Sequence, residues 1–169
     1  MVNSDHEALL ELLNKHRVRY GVIGGCAVAF HGHARYTKDL DILVDPSADN
    51  SKHLLEVIQE FEYGGMWRHA TQATESGRVA RLGRSVDLFT AIVGRTFGQV
   101  WEHRVEGRYG NQWVFFIGRE DLIRSKQLFA RPQDQLDVTA LRKSRVTVSS
   151  KKDRRQSLAS AQPETFKTE

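Results

Sequence analysis

The sequence predicts one α+β domain, with α/β character, in which a mixed β-sheet is flanked by helices. Three observations support this prediction. Strand-like and helix-like patterns alternate along residues 1–144, two glycine-containing turns each separate a pair of strand-like runs, and the apolar pattern stops near residue 145. A chain of 169 residues is long enough to form one domain with a substantial core.

The first half of the chain contains three predicted helices and two predicted strands. Ser4 and Glu7 have the spacing of a capping box, and leucines follow at helical spacing, which predicts a helix over Asp5–Lys15. The next predicted elements are a strand over Val18–Ile23 that ends at Gly24-Gly25, a helix over Cys26–His31, a strand over Asp39–Val44 and a helix over Ser51–Phe61.

The second half of the chain contains two predicted hairpins and three predicted helices. One pairs Arg78–Leu82 with Ser85–Ile92 around Gly83-Arg84, and the other pairs Val105–Tyr109 with Gln112–Ile117 around Gly110-Asn111. The predicted helices of this half are Phe97–His103, Glu120–Phe129 and Gln133–Lys143, the last two being separated at Arg131-Pro132.

The positive charge of the chain is concentrated at its end. Residues 145–169 carry six Lys and Arg against three Asp and Glu, whereas residues 1–144 carry 19 against 18. The segment is rich in polar residues and is predicted to be disordered, so the sequence divides into a domain at 1–144 and a basic tail at 145–169. Nucleic-acid binding through the tail residues Lys151–Arg155 remains one hypothesis.

Composition also limits the cellular setting. The single cysteine, Cys26, excludes an internal disulfide, and the N-terminal residues lack the pattern of a signal peptide. The longest run of low polarity, Gly21–Phe30, is about half the length that a membrane-spanning helix needs. We therefore expect a cytoplasmic protein without a membrane partner.

Two aspartates on one predicted strand are the main chemical signal. Asp39 and Asp41 alternate along the strand, so their side chains point to the same face. The apolar residues Leu40 and Ile42 predict that this strand is buried, where two like charges are costly unless a cation neutralises them. Carboxylate ligands suit Mg²⁺ or Mn²⁺. The alternative is an edge strand with one solvated face.

A third carboxylate, Asp87, lies in another strand-like run. On a neighbouring strand it would complete a cluster with Asp39 and Asp41, either as a third metal ligand or as the base that activates a hydroxyl. The alternative is a simple ion pair with Arg84 or Arg81 at the hairpin.

Gly24-Gly25 is a candidate phosphate-binding segment. It follows a strand and precedes a helix, so the backbone there can approach a ligand closely, although many such segments are only turns. The pair matches neither the dinucleotide-binding fingerprint nor the P-loop. Arg35 is a second candidate contact to phosphate, with a solvent-exposed loop charge as its alternative.

Lys126 is a third candidate contact to the nucleotide. It lies at the edge of a helical apolar stripe, where it could reach a triphosphate or merely cover the core with its aliphatic stem. We expect Asp134 and Asp137 to pair with Lys126 or Arg131, or to cap the last helix, rather than to take part in chemistry.

These motifs together resemble the nucleotidyltransferase superfamily that includes DNA polymerase beta. The resemblance rests on Gly24-Gly25, His31-Gly32, Arg35, Thr37 and Asp39-x-Asp41, and extends to Val86–Phe89 and to the segment from Lys126 to Asp137. Among its members, the chain is most similar to small bacterial and archaeal proteins related to nucleotidyltransferase toxins of abortive-infection systems. The likeness covers roughly residues 18–142.

The resemblance implies a nucleotidyltransferase fold with C-terminal helices and a role for each motif. Gly24 and Gly25 would cradle the nucleotide phosphates, Asp39 and Asp41 would hold two divalent ions, and Asp87 would be a third ligand or the base. One position departs from the pattern, because many members have a serine after the first glycine where this chain has Gly25.

The expected function is metal-dependent transfer of a nucleoside monophosphate from a nucleoside triphosphate to a hydroxyl group, with release of pyrophosphate. The acceptor is not identified by the sequence and could be a protein, an RNA or a small molecule. The alternative is a catalytically inactive, antitoxin-like binding protein with the same fold, whose partner would be a cognate toxin or antitoxin protein.

Overall fold

The computed structural model of the protein describes residues 2–63, 80–82 and 85–144. Within these ranges, six strands form one mixed sheet in the order β3-β4-β2-β1-β6-β5, and six helices accompany it. The elements in chain order are α1 (Ser4–Lys15), β1 (Tyr20–Val22), α2 (Gly24–Phe30), β2 (Leu40–Val44), α3 (Ala48–Tyr63), β3 (Ala80–Leu82), β4 (Val86–Phe89), α4 (Phe97–Glu102), β5 (Val105–Tyr109), β6 (Gln112–Phe116), α5 (Arg119–Phe129) and α6 (Pro132–Lys143). The predicted fold class is confirmed.

Helix α1 starts differently from the prediction. The side chain of Asn3 accepts hydrogen bonds from the amides of Asp5 and His6, so Asn3 is the N-cap and the capping box predicted for Ser4 and Glu7 is wrong. Glu7 instead accepts a hydrogen bond of 2.6 Å from the backbone amide of Asn111. This bond ties α1 to the β5–β6 turn, a contact that local spacing could not reveal.

Both predicted hairpins have paired strands. Strands β3 and β4 are antiparallel with Leu82 opposite Val86, and β5 and β6 are antiparallel with Tyr109 opposite Gln112. Four residues of the first predicted hairpin lie outside the described residues: Arg78, Val79, Gly83 and Arg84. Strand β5 has the predicted bounds, whereas β4 ends three residues earlier and β6 one residue earlier than the predicted runs.

The sheet has two chemically different faces. Alternation along the paired strands puts Tyr20 and Phe116 on one face, and α1 and α2 pack there: the Tyr20 hydroxyl donates to Asn14, and Phe116 stacks on Phe30. Helix α3 packs beside α1 and contributes buried apolar residues to the same layer. The residues on this face of β1, β2, β4 and β6 form the core and are Tyr20, Val22, Leu40, Ile42, Val44, Val86, Leu88, Val114 and Phe116.

The C-terminal helices α5 and α6 pack against each other, and α5 also contacts α2. The predicted break at Arg131-Pro132 is confirmed, since Ala130 ends α5 in a left-handed conformation (φ 52°) and Pro132 begins α6. The basic tail at 145–169 lies outside the described residues, so its predicted disorder stays a prediction. None of the helices in the described ranges has the length and apolar character needed to cross a membrane.

Candidate active site

Asp41 and Asp87 face each other across two neighbouring strands. Strands β2 and β4 are parallel, and their register places Asp41 directly beside Asp87. Both side chains therefore lie on the sheet face opposite the one on which α1 packs, and Asp41 also reaches the first turn of α2 at the end of β1. The apolar neighbours Leu40 and Ile42 point the other way and are fully buried, which fixes the carboxylates on this face.

The carboxyl group of Asp41 is partly desolvated. Its burial raises its pKa from 3.8 to about 6, and the negative charge of Asp87 contributes to the increase. A hydrogen bond from the backbone amide of Gly25 and the more distant charge of Lys126 act in the opposite direction. A backbone amide in the first turn of α2 therefore interacts with the Asp41 carboxylate.

Gly24 and Asp41 fit together closely. Gly24 has a positive φ of 60°, and a Cβ atom added there would lie 2.6 Å from the Asp41 carboxyl carbon. Glycine is required here both by the backbone conformation and by the space that the carboxylate occupies. The predicted Gly24-Gly25 segment thus contacts a candidate catalytic side chain, and both glycines belong to helix α2 rather than to a preceding turn.

Asp39 lies immediately before β2 and shares a cationic neighbour with Asp87. The Nη2 atom of Arg81 is 3.1 Å from Oδ1 of Asp39, and its Nε atom is 3.7 Å from Oδ1 of Asp87. Arg81 opposes Asp87 on strand β3 and is about half exposed. The structure thus contains one of the two ion pairs considered for Asp87, the one with Arg81, and this guanidinium also links Asp87 to Asp39.

The three aspartates have the donor chemistry of a divalent cation site, and the structure has a positive charge in contact with two of them. Hard carboxylate oxygens suit Mg²⁺ or Mn²⁺, and a cation would relieve the repulsion between Asp41 and Asp87 that contributes to the raised pKa of Asp41. Among the residues that the structure describes, however, no three His, Cys, Asp or Glu side chains form a ready set of metal ligands. The donor set fits a divalent ion in its chemistry, with Arg81 at present neutralising part of it.

Lys126 is buried in an ion-pair cluster instead of lying at the edge of the core. Its Nζ atom lies 2.9 Å from Asp134 and 2.8 Å from Asp137, and only 6% of the residue is exposed. Arg131 completes the cluster through a contact of 2.7 Å to Asp134. The expected pairing of Asp134 and Asp137 is confirmed, and Lys126 reaches Asp41 only through its electric field.

Arg35 connects the loop before β2 to this cluster. Its guanidinium binds both carboxylate oxygens of Asp137 and lies beside Gly25, 3.3 Å from the position that a Cβ atom would take. Thr37 fills the remaining space, since the same Cβ position is 2.5 Å from its hydroxyl oxygen. A serine side chain at position 25 would therefore displace Thr37, which gives a steric reason for the glycine at this position.

The sequence did not reveal two of these relationships. The sequence predicts a phosphate contact for Arg35 and pairing within the C-terminal helices for Asp137, but the two residues lie 102 residues apart and their mutual contact depends on the tertiary fold. Thr37 was noted only as part of a motif, and its packing against Gly25 has no local sequence signal.

Several solved structures share this fold. LnuA, a lincosamide antibiotic adenylyltransferase solved with lincomycin, is 20% identical with a TM-score of 0.56, the match covering 84% of this chain and 98% of that one. ANT(2")-Ia, solved with adenylyl-2"-tobramycin, is 14% identical with a TM-score of 0.58, covering 80% and 84%. A Thermotoga maritima protein described as a nucleotidyltransferase is 12% identical with a TM-score of 0.54, covering 85% and 94%.

No protein-family model matches the sequence, and no curated protein matches it significantly. The likeness to these structures is therefore one of architecture, at sequence identities of 20% or less. Three features of this chain have been described within that architecture. They are the mixed sheet, the helix that begins at Gly24-Gly25, and the aspartates on β2 and β4. The protein has the nucleotidyltransferase fold.

Proposed function

We propose that the protein is a metal-dependent nucleotidyltransferase. It transfers a nucleoside monophosphate from a nucleoside triphosphate to a hydroxyl group of an acceptor and releases pyrophosphate. The observation that carries this proposal is the register of Asp41 beside Asp87 on parallel strands, with Asp39 linked to Asp87 through Arg81. The fold, shared with adenylyltransferases that act on antibiotics, supports the same reaction class.

The proposed reaction is an in-line displacement at the α-phosphorus. The acceptor oxygen forms a new bond to phosphorus while the bond from phosphorus to the α–β bridging oxygen breaks, and that oxygen leaves with pyrophosphate. Asp87 accepts the hydroxyl proton in this proposal, because it lies directly beside Asp41 on the neighbouring parallel strand and its side chain remains partly exposed to an incoming acceptor. Asp41 is held in place by the amide of Gly25.

A divalent cation held by Asp39 and Asp41, with Asp87 as a further ligand, would supply positive charge to the phosphate oxygens when bound. The chain's own contribution is to gather three acidic side chains beside the N-terminus of α2. Arg81 must release Asp39 and Asp87 before these carboxylates can serve a substrate complex. Once released, its guanidinium is available to bind phosphate.

Contact between the nucleotide phosphates and Gly24-Gly25 requires a local exchange. The Gly25 amide now bonds to Asp41, so a phosphate oxygen at this amide would replace that carboxylate oxygen. Arg35 lies next to Gly25 and can add a charged donor while it keeps its pair with Asp137. Lys126 stabilises the ionised form of Asp41 from within the buried cluster and does not contact the nucleotide.

A second function, binding without catalysis, is favoured by one observation. The Arg81 guanidinium already neutralises Asp39 and Asp87, which is the arrangement expected of a fold that no longer needs a cation. Such a protein would be an antitoxin-like partner that keeps the fold and its charge balance. Intact acidic residues at all three positions favour the transferase.

The test is incorporation of α-³²P label from each of the four ribonucleoside triphosphates in the presence of Mg²⁺ or Mn²⁺. Acceptors are total RNA, a lysate proteome and a panel of hydroxylated antibiotics. The comparison set is the wild type, Asp87→Asn and Asp41→Asn, with Asp49→Asn as a matched control because Asp49 lies on α3 and its side chain is 88% exposed. Removing the base should lower the rate by about 10²–10⁴-fold, whereas the control should retain the wild-type rate.

Incorporation by the wild type and by Asp49→Asn, but not by the two site variants, would establish the transferase. Equal background incorporation by the wild type and both site variants across all acceptors would overturn it. In that event, wild-type binding of a cognate protein that survives Asp87→Asn would support the second function.

A further inference from the structure

A pocket of about 390 Å³ lies outside the candidate active site and is unusually rich in arginine. It is formed by the exposed side of α5, the end of α6 and the loop before α4. Its charged and polar lining residues are Arg95, Arg119, Arg124, Arg142, Glu120 and Gln127. We refer to these six residues as the arginine pocket.

The charge of the arginine pocket is not balanced. Arg119 pairs with Glu120 at 2.9 Å, and Arg95 pairs with Asp121 at 2.6 Å. Arg124 and Arg142 are both exposed, and neither has an acidic partner within the described part of the chain. Because residues 1–144 are nearly neutral as a whole, four arginines around one cavity are a local concentration of charge and not a property of the surface in general.

Arg119 has a hydrogen-bond donor that lacks an acceptor within the part of the chain that the structure describes. Its guanidinium donates to the backbone carbonyls of Leu141 and Ser144, yet its Nε atom is buried and has no hydrogen-bond partner among the described residues. A buried donor without an acceptor is costly, and the Arg119 guanidinium also lines the pocket, where an anion would compensate its positive charge. Guanidinium groups bind phosphate through paired hydrogen bonds, which makes phosphate the favoured ligand chemistry.

The arginine pocket is distinct from the nucleotide site proposed above. Glu120, Arg124 and Gln127 recur at helical spacing on the solvent side of α5. Lys126 is on another side of the same helix, buried against α6 and within the field of Asp41. A ligand in the pocket would therefore contact the outer surface of α5, whereas the nucleotide would lie on the sheet face that carries Asp41 and Asp87.

Two arginines of the pocket, Arg124 and Arg142, have no acidic partner among the described residues, and further basic residues follow α6 in the sequence. This extended positive charge favours a ligand that has several linked phosphates over a single phosphate group. Ile123, which is 5% exposed, is the one apolar side chain in the described lining, and no aromatic ring is present there to stack on a base. The pocket thus recognises phosphates and leaves bases outside, which is how proteins contact a nucleic-acid backbone.

We propose that the arginine pocket binds nucleic acid through its phosphate backbone. The sequence that follows α6 supports this choice, because residues 145–169 continue the excess of positive charge directly after Arg142. The proposal is independent of the transferase reaction, since a strand could be bound there whether or not the carboxylates are catalytic.

The experiment measures binding of a fluorescein-labelled single-stranded oligouridine to the full-length protein by anisotropy, at salt concentrations from about 50 to 200 mM. The test variant is Arg124→Gln with Arg142→Gln, two exposed side chains without acidic partners, so folding should be retained and is checked by thermal melting. The matched control is Arg17→Gln with Lys52→Gln, which removes the same charge from exposed positions at the end of α1 and on α3. The basic tail is present in every protein.

The test variant should bind about tenfold more weakly, and its slope of log affinity against log salt should fall by about 1.4, which corresponds to two lost phosphate contacts. The control pair should bind within twofold of the wild type. Wild-type-like affinity in the test variant would overturn the proposal and assign binding to the tail, and equal losses in both variants would reduce it to a general charge effect. Tripolyphosphate binding is measured in the same proteins. If the test variant binds tripolyphosphate more weakly but binds oligouridine like the wild type, the pocket is a site for free phosphate anions and the proposal is rejected.

Discussion

Arg35 and Asp137 form a two-pronged ion pair across 102 residues of sequence. Nε and Nη2 of Arg35 lie 2.8 and 3.0 Å from the two carboxylate oxygens of Asp137, whose side chain is fully buried. Burial raises the pKa of Asp137, but hydrogen bonds from Arg35, Lys126 and Gln133 outweigh it and hold the pKa below its usual value. This pair fastens the loop before the candidate catalytic strand to helix α6.

Loss of this pair should destabilise the whole domain. We expect Arg35→Gln to lower the free energy of unfolding by about 1.5–3 kcal/mol, because a buried carboxylate loses two charged hydrogen bonds while Lys126 still neutralises it. Urea denaturation measures the change, with the exposed Arg17→Gln as control. In a double-mutant cycle with Asp137→Asn, an interaction energy near zero would show that the pair contributes nothing.

Arg81 should compete with divalent cations for the acidic cluster. In Arg81→Gln the positive charge beside Asp39 and Asp87 is gone, so Mn²⁺ should bind about five- to tenfold more tightly, a gain of about 1 kcal/mol. Titration calorimetry without nucleotide gives the affinity directly. Arg108→Gln, an exposed arginine on strand β5 at the opposite edge of the sheet, is the matched control. Weaker Mn²⁺ binding in Arg81→Gln than in the control would contradict competition.

Because Gly24 lies against the Asp41 side chain, replacing it with alanine should affect stability differently from the same replacement at an uncrowded glycine. Gly24→Ala should destabilise the protein by about 1–3 kcal/mol and displace the Asp41 carboxylate, because the new Cβ collides with it at a positive φ. Gly98→Ala in helix α4 should be neutral or stabilise by up to about 1 kcal/mol, since its nearest neighbour is 4.0 Å away. Thermal unfolding of both variants separates the two cases, and similar effects would refute the proposed fit.

The raised pKa of Asp41 predicts a stability cost that depends on pH. A carboxyl group with a folded pKa of about 6 and an ordinary value of 3.8 binds its proton more tightly in the folded state, so wild-type stability is lost as pH rises from about 4 to 6. Asp41→Asn removes this cost and should be more stable than the wild type by about 1–3 kcal/mol above pH 6, with no advantage below pH 4.

This comparison is made by chemical denaturation in the presence of a chelator, with Asp49→Asn as an exposed control. A variant less stable than the wild type at pH 7 would show that Asp41 is stabilised by its surroundings in the charged form. Addition of Mg²⁺ should reduce the difference if the aspartates hold the cation.

Local patterns predicted the elements well where hydrophobic period and turn residues agree. The Gly110-Asn111 turn, the proline that begins α6 and the alternation of Asp39 and Asp41 all have short-range causes. The N-cap of α1 was misassigned because Asn3 and Ser4 are both good capping residues, and the choice depends on the tertiary bond between Glu7 and Asn111.

The sequence indicates which acidic side chains lie in the candidate site, but it does not indicate which partners the basic side chains Lys126 and Arg35 contact. The spacing of Asp39 and Asp41 follows from strand geometry alone, whereas the position of Asp87 beside Asp41 requires the β2–β4 pairing. The sequence predicts Lys126 and Arg35 as nucleotide contacts from their charge, and in the structure both form ion pairs with the buried Asp137 of α6. Long flexible cations carry little positional information until the fold decides which carboxylates they meet.

The close contact between Gly24 and the Asp41 side chain means that the residue type at position 24 restricts the position of the carboxylate. A side chain at residue 24 and the carboxylate of Asp41 would occupy the same volume in this backbone, so a change at one position requires an adjustment at the other. A bulkier residue at position 24 would push the Asp41 carboxylate out of its present position, so the first residue of helix α2 limits where the acid of strand β2 can lie.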